Sequence, residues 1–198
     1  MRLVLWLLIV LGLIVPLFLA ASSPLLAWRD PVYILAGFAG VVAFALMLVQ
    51  PMLAAGLLPG VALVTGRRMH RWVGGVIILG VLIHVGGLWV TSPPDVVDAL
   101  LLVSPAPFSN WGVLAFAALV GAGVLAVYRR RFRLAVWRVG HSALVTVAVL
   151  GTVLHAWKVD GTMEIVSKAG LCLAVILALG VAMVRLKAWR AIWRQSLG

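Results

Sequence analysis

Acidic side chains are scarce. Asp30, Asp95, Asp98, Asp160 and Glu164 are the only five in 198 residues. They supply no paired-carboxylate or Ser/His/Asp chemistry. Cysteine is scarcer still: Cys172 stands alone, which excludes an intramolecular disulfide, a C-x-x-C-H haem attachment and a thiolate metal cluster. It lies mid-way along an apolar run and reads as a small buried residue. Polar stretches are nearly absent too, so almost nothing is left over for a soluble domain.

What is present is apolar. Hydrophobic residues make up 65% of the chain, and the mean hydropathy is +1.20. Runs of ~20 apolar residues, long enough to span a bilayer, recur along its length. They fall at 3–20, 31–53, 69–90, 110–128, 137–157 and 165–186. The expectation is an all-α membrane protein, a six-transmembrane-helix bundle forming one domain over 1–198. The first run, with Arg2 before it and Leu19-Ala20-Ala21-Ser22 after it, is longer than a signal-peptide core and is expected to stay as a helix. Asp30-Pro31 opens the second run, since proline suits a first helical turn. The stretch from Gln50 to Gly66, broken by Pro51, Gly56, Pro59 and Gly60, is expected at the interface. Residues 91–109 form the longest outer loop, with a short helix expected within Val96–Val103.

The formal charge of +11 is distributed by topology. With both termini on one side, that side collects Arg2, Arg67, Arg68, Arg71, Arg129, Arg130, Arg131, Arg133, Arg138, Arg185, Lys187, Arg190 and Arg194. The other holds Arg29, Lys158 and Lys168 with all five acids. The positive-inside rule then places both termini in the cytoplasm. The basic excess is no nucleic-acid footprint; it suits a lipid bilayer and its anionic headgroups. Trp72, Trp89, Trp111, Trp137, Trp157, Trp189 and Trp193 cluster at span ends, as an aromatic belt does.

Only four histidines occur, in two matched pairs. His70 and His84 are 14 residues apart, and so are His141 and His155. On an α-helix that spacing is about 40° short of four turns, so both members face one way, ~21 Å apart along the axis. A lone intramembrane histidine often only bonds a neighbouring helix. Four of them, in two equal spacings on spans running in the same direction, point to function. His70 matches His141 in depth, and His84 matches His155. Such pairs suit two b-type haems, one above the other, each held by one histidine from either helix. Zinc or copper would need the four to converge, which the ~21 Å axial gap forbids. Gly74, Gly80, Gly87 and Gly151, three or four residues from a histidine, leave space beside it on the same helix face. Arg67, Arg68, Arg71 and Arg138 crowd the inner pair as candidate propionate contacts; Lys158 alone is near the outer pair. The run Gly121-Ala122-Gly123-Val124-Leu125-Ala126 fits a loose dinucleotide fingerprint but lies within a span, with no preceding strand. No repeat longer than the histidine spacing is evident.

Six spans, paired histidines on the third and fifth, and Gly66-Arg67-Arg68-Met69-His70-Arg71-Trp72 together resemble the ferric reductase-like transmembrane domain superfamily. Its members include NADPH oxidases, ferric-chelate reductases and the haem subunit MsrQ of a periplasmic methionine sulfoxide reductase system. The resemblance implies that His70, His141, His84 and His155 are axial ligands of two haem b groups. It implies an oxidoreductase. The alanine, valine, leucine and arginine bias of the chain points separately to a high-GC bacterium, and hence to the inner membrane. Electrons would come from a cytoplasmic flavoprotein reductase or reduced flavin, with FMN or FAD on a separate partner. They would reach an outer-face acceptor: an Fe(III) chelate, oxygen or a periplasmic redox protein. Four histidines fit two haems better than they fit the MsrQ pattern. A quinol-linked diheme cytochrome b subunit shares the spacing, but no Pro-Glu-Trp-Tyr element is present.

Overall fold

The computed structural model describes residues 2–187 and is helical throughout. Arg190, Arg194, Trp189 and Trp193 lie outside the described residues. The helices are α1 (Arg2–Ala21), α2 (Pro31–Ala55), α3 (Leu63–Thr91), α4 (Pro93–Leu100), α5 (Ser109–Val127), α6 (Leu134–Lys158) and α7 (Ile165–Leu186). All but the short α4 are long and apolar enough to cross a membrane, six candidate spans among the described residues. In lipid every backbone polar group needs an internal partner, and the helix supplies one. This is a multi-pass membrane protein.

Helix boundaries follow local chemistry. Pro31 begins α2, and the Asp30 carboxylate accepts hydrogen bonds from the amides of Val32 (2.7 Å) and Tyr33 (3.3 Å), the N-cap arrangement. Gly56 ends α2 in the left-handed region at φ 64°, where glycine carries no Cβ penalty. The expected broken segment from Gln50 to Gly66 is therefore shorter: α2 runs through Pro51 to Ala55, and α3 starts at Leu63 rather than Met69. The short helix expected in the 91–109 loop forms as α4, opened by Pro93 and Pro94 and three residues earlier than expected.

The buried core centres on α2 and α7. Ala43, Phe44, Met47 and Leu48 meet Leu171, Cys172, Val175, Leu179 and Met183, with Ile77 of α3 and Val149 and Val153 of α6. Cys172 is buried there, as a small apolar residue is. α1 packs on this core through Ile9, which clusters with Met52, Leu53 and Leu58. Large apolar side chains such as Leu79, Leu114 and Leu173 stay exposed, as a lipid-facing surface requires.

Two antiparallel hairpins dominate the packing: α2 on α3, and α5 on α6. By contrast, α3 and α6 are not packed along each other. The space between them is crossed by histidine.

Candidate functional site

The structure brings His70 of α3 to His141 of α6, and His84 to His155. Each pair has ring centroids 6.4 Å apart, with planes at 76° and 80° respectively. The pairs lie at two levels, so α3 and α6 run in the same direction. All four rings are half-buried. Among the described residues no three His, Cys, Asp or Glu side chains converge as a metal cluster.

The ring spacing has a chemical meaning. Two imidazole nitrogens bonding one metal from opposite sides, at the usual ~2.0 Å each, with about 1.1 Å from nitrogen to ring centre, place the centroids about 6.2 Å apart. Both pairs stand within a few tenths of an ångström of that separation.

Backbone carbonyls orient three of the rings. Nδ1 of His84 lies 2.8 Å from the Ala36 oxygen, Nδ1 of His155 lies 3.0 Å from Phe108, and Nδ1 of His70 lies 3.0 Å from Gln50. With Nδ1–H donating, Nε2 is left as the free nitrogen; a hydrogen bond of this kind fixes the tautomer and orientation of a histidine that binds metal through its other nitrogen. Gln50 returns the contact, its Nε2 donating to the His70 carbonyl at 3.0 Å. His141 differs. The Ala122 carbonyl lies toward it, but its buried Nδ1 makes no hydrogen bond of ordinary geometry. Trp137 stacks on it instead, with centroids 5.3 Å apart and planes 12° apart. Trp137 also donates from Nε1 to the Leu125 carbonyl at 3.1 Å. It is a site residue as well as a member of the aromatic belt.

The carbonyl contacts at the His84/His155 level need glycine. In a helix the Ala36 and Phe108 oxygens face residues four positions on, which are Gly40 and Gly112. A Cβ there would sit 2.8 Å and 2.7 Å from the Nδ1 atoms of His84 and His155. Helical spacing around the histidines does not reveal either glycine, because both lie on the partner helices. The glycines that spacing selects do other work. Gly80 packs on Ala39 and Ala43, Gly87 on Ala36, Gly151 on Trp111 and Ala115, and Gly74 against the Gln50 amide. They close α3 on α2 and α6 on α5 rather than opening a slot beside histidine. Gly121 and Gly123 meet Leu144 and Ile78, which is helix packing.

These contacts expose a repeat. His70, Gly80 and His84 correspond to His141, Gly151 and His155 at an offset of 71. Ala36, Gly40 and Ala43 take the places of Phe108, Gly112 and Ala115 at an offset of 72. Gly40-Val41-Val42-Ala43-Phe44-Ala45 is matched by Gly112-Val113-Leu114-Ala115-Phe116-Ala117. The two hairpins are copies of one unit, contrary to the expectation that no longer repeat exists.

A cavity of about 530 Å³ adjoins His84 and His155, a size within the usual range for cofactor sites. Gly40, Phe44, Gly112 and Phe116 line it from both hairpins, and Asp95, Val96 and Leu100 from α4. Lys168 and Arg29 border it; Lys158 does not. At the opposite end of the helices, Arg67 and Arg185 line a smaller cavity of about 280 Å³ with Ala55 and Leu63. Arg68 and Arg71 are exposed. Arg138 donates from Nη2 to the Leu186 carbonyl at 3.0 Å, closing the end of α7.

The described residues thus form a polytopic helical protein in which a doubled hairpin brings two pairs of histidines together at two levels. Residues 39–152 match the family described as ferric reductase like transmembrane component, and the chain belongs to that family. The match takes in His70, His84 and His141 and ends three residues before His155. No curated protein and no solved structure matches the chain.

Proposed function

We propose that this protein carries electrons across a bacterial inner membrane by way of two b-type haems, one held by His70 and His141 and the other by His84 and His155. The observation that carries the reading is the equal 6.4 Å separation of both imidazole pairs, the span that two nitrogen–metal bonds require. α3 and α6, each packed on its own hairpin partner but not along each other, leave room for a flat macrocycle between them. Haem bound there would supply a one-electron iron couple, and with His70, His141, His84 and His155 holding the iron it would favour electron transfer over oxygen binding.

The chain's own residues orient the ligands and exclude water. Ala36, Gln50 and Phe108 fix three imidazoles through Nδ1, and Trp137 holds the fourth by stacking. Phe44 and Phe116 wall the His84/His155 cavity with apolar surface. The 13 to 3 distribution of basic residues orients both termini to the cytoplasm. His70 and His141 then lie near the cytoplasmic face, where a flavoprotein reductase or reduced flavin donates. His84 and His155 lie near the outer face, beneath α4. An Fe(III) chelate, oxygen or a periplasmic redox protein accepts the electron there.

The test is spectroscopic. Purified protein should show reduced-minus-oxidised b-type bands and two haems per chain by pyridine haemochrome. His84→Ala and His155→Ala should each leave one haem, and the same one. Unaltered haem content in both variants would reject the pairing.

A further inference from the structure

Lys168 is 4% exposed, although it is a lysine in the first turn of α7. That end of a helix carries partial positive charge and disfavours a cation. The nearby cap offers no relief: the Glu164 carboxylate is engaged by the amides of Val166 and Ser167, at 2.8 and 2.7 Å. Nζ donates to the Val159 carbonyl at 3.0 Å and lies 6.0 Å from the Trp157 ring centre, the outer limit of a cation–π contact. An ammonium has three donors, and among the described residues this is its one hydrogen bond. A buried ammonium without a carboxylate is costly unless an anion completes it. Lys168 borders the cavity that reaches His84 and His155. Two acids, Asp95 and Asp160, line the same cavity.

We infer that Lys168 receives a carboxylate of the cavity's occupant, a propionate of the porphyrin held by His84 and His155. This rests on the haem reading above. Lys168 is thus a positioning residue: it turns the propionate edge of that macrocycle toward α7 and offsets its charge. The sequence favoured Lys158 for this role because it is three residues from His155. The loop from Val159 to Glu164 instead brings Lys168 back to the cavity wall.

The full-length protein tests this through haem release and potential. Lys168→Met removes both charge and donor; Lys168→Gln keeps a donor for the Val159 carbonyl and removes only the charge. In both, release of the outer haem to excess apomyoglobin should quicken about tenfold, the loss of one charge-assisted hydrogen bond. The outer-haem midpoint potential should fall, since a nearby cation favours the reduced iron. Lys168→Arg should restore both quantities, and the inner haem should be unmoved throughout. Wild-type release rates and potentials in the Met and Gln variants would overturn the inference while leaving the haem reading intact. A wild-type protein without haem would overturn both. Independently of how the variants fold, wild-type chain loaded with haem dimethyl ester should release the outer ester about tenfold faster than the outer free acid. Equal release would also overturn it.

Discussion

A methyl group on Gly40 would sit 2.8 Å from Nδ1 of His84. The ring is already bound to the Ala36 carbonyl at 2.8 Å, so it has nowhere to retreat without losing that bond. Gly40→Ala, and Gly112→Ala on the other hairpin, should each displace an imidazole at a cost of about 1–3 kcal/mol, as overpacking does. Both variants should lose the His84/His155 haem and keep the other. Gly75→Ala, with nothing within 4 Å of its Cβ position, is the matched control. Full haem content in Gly40→Ala would show that the glycine does not gate the ring.

Trp137 gives His141 the support that the other three histidines draw from a carbonyl. Removing a stacked aromatic partner costs about 0.5–1.5 kcal/mol. Trp137→Leu should therefore speed loss of the His70/His141 haem several-fold and leave the other unchanged. Release kinetics followed in the Soret band read this directly. An equal effect at both sites would make the tryptophan a general packing residue.

The imidazole planes stand at 76° and 80°. On the proposed haem reading, iron held between near-perpendicular imidazoles would have two d orbitals close in energy. The oxidised protein should therefore give strongly anisotropic low-spin EPR signals from both sites. Rhombic spectra of the parallel-ring type at both levels would contradict the ring geometry.

Glu164 caps α7 outside the membrane-spanning segment. Hydrogen bonds from the amides of Ser167 and Val166 hold its carboxyl below the ordinary value of 4.5. A depressed folded value contributes stability that is fully present above the unfolded value and is lost as pH falls through the folded one. Glu164→Gln should melt lower than wild type near pH 7, and the gap should close as the pH is taken below 4.5. Thermal melts in detergent across that range check the sign; a gap that widens in acid would contradict it.

Much of the fold is legible because bilayer thickness dictates the length of an apolar run, and the equal histidine spacings point to the ring pairs that α3 and α6 bring together. Three things were hidden. The repeat changes offset, from 72 in its first helix to 71 in its second, so no single register aligns Gly40 with Gly112 and His84 with His155 together. The glycines that admit the rings lie on the helix opposite each histidine, where counting ±3 and ±4 positions cannot reach. Lys168 is distant from His155 in sequence and close to its cavity in space, because the chain reverses between α6 and α7. Helical spacing governs one face of one helix; these contacts are all between helices.

The doubled hairpin has a consequence for how the protein comes to hold anything. α2 and α3 carry one imidazole at each depth, and α5 and α6 carry the other. Neither half owns a finished binding place; each is one jaw of two clamps. On the proposed haem reading, capture would wait until the later half has entered the lipid and met the earlier one, and a chain interrupted before α6 would forfeit both clamps at once.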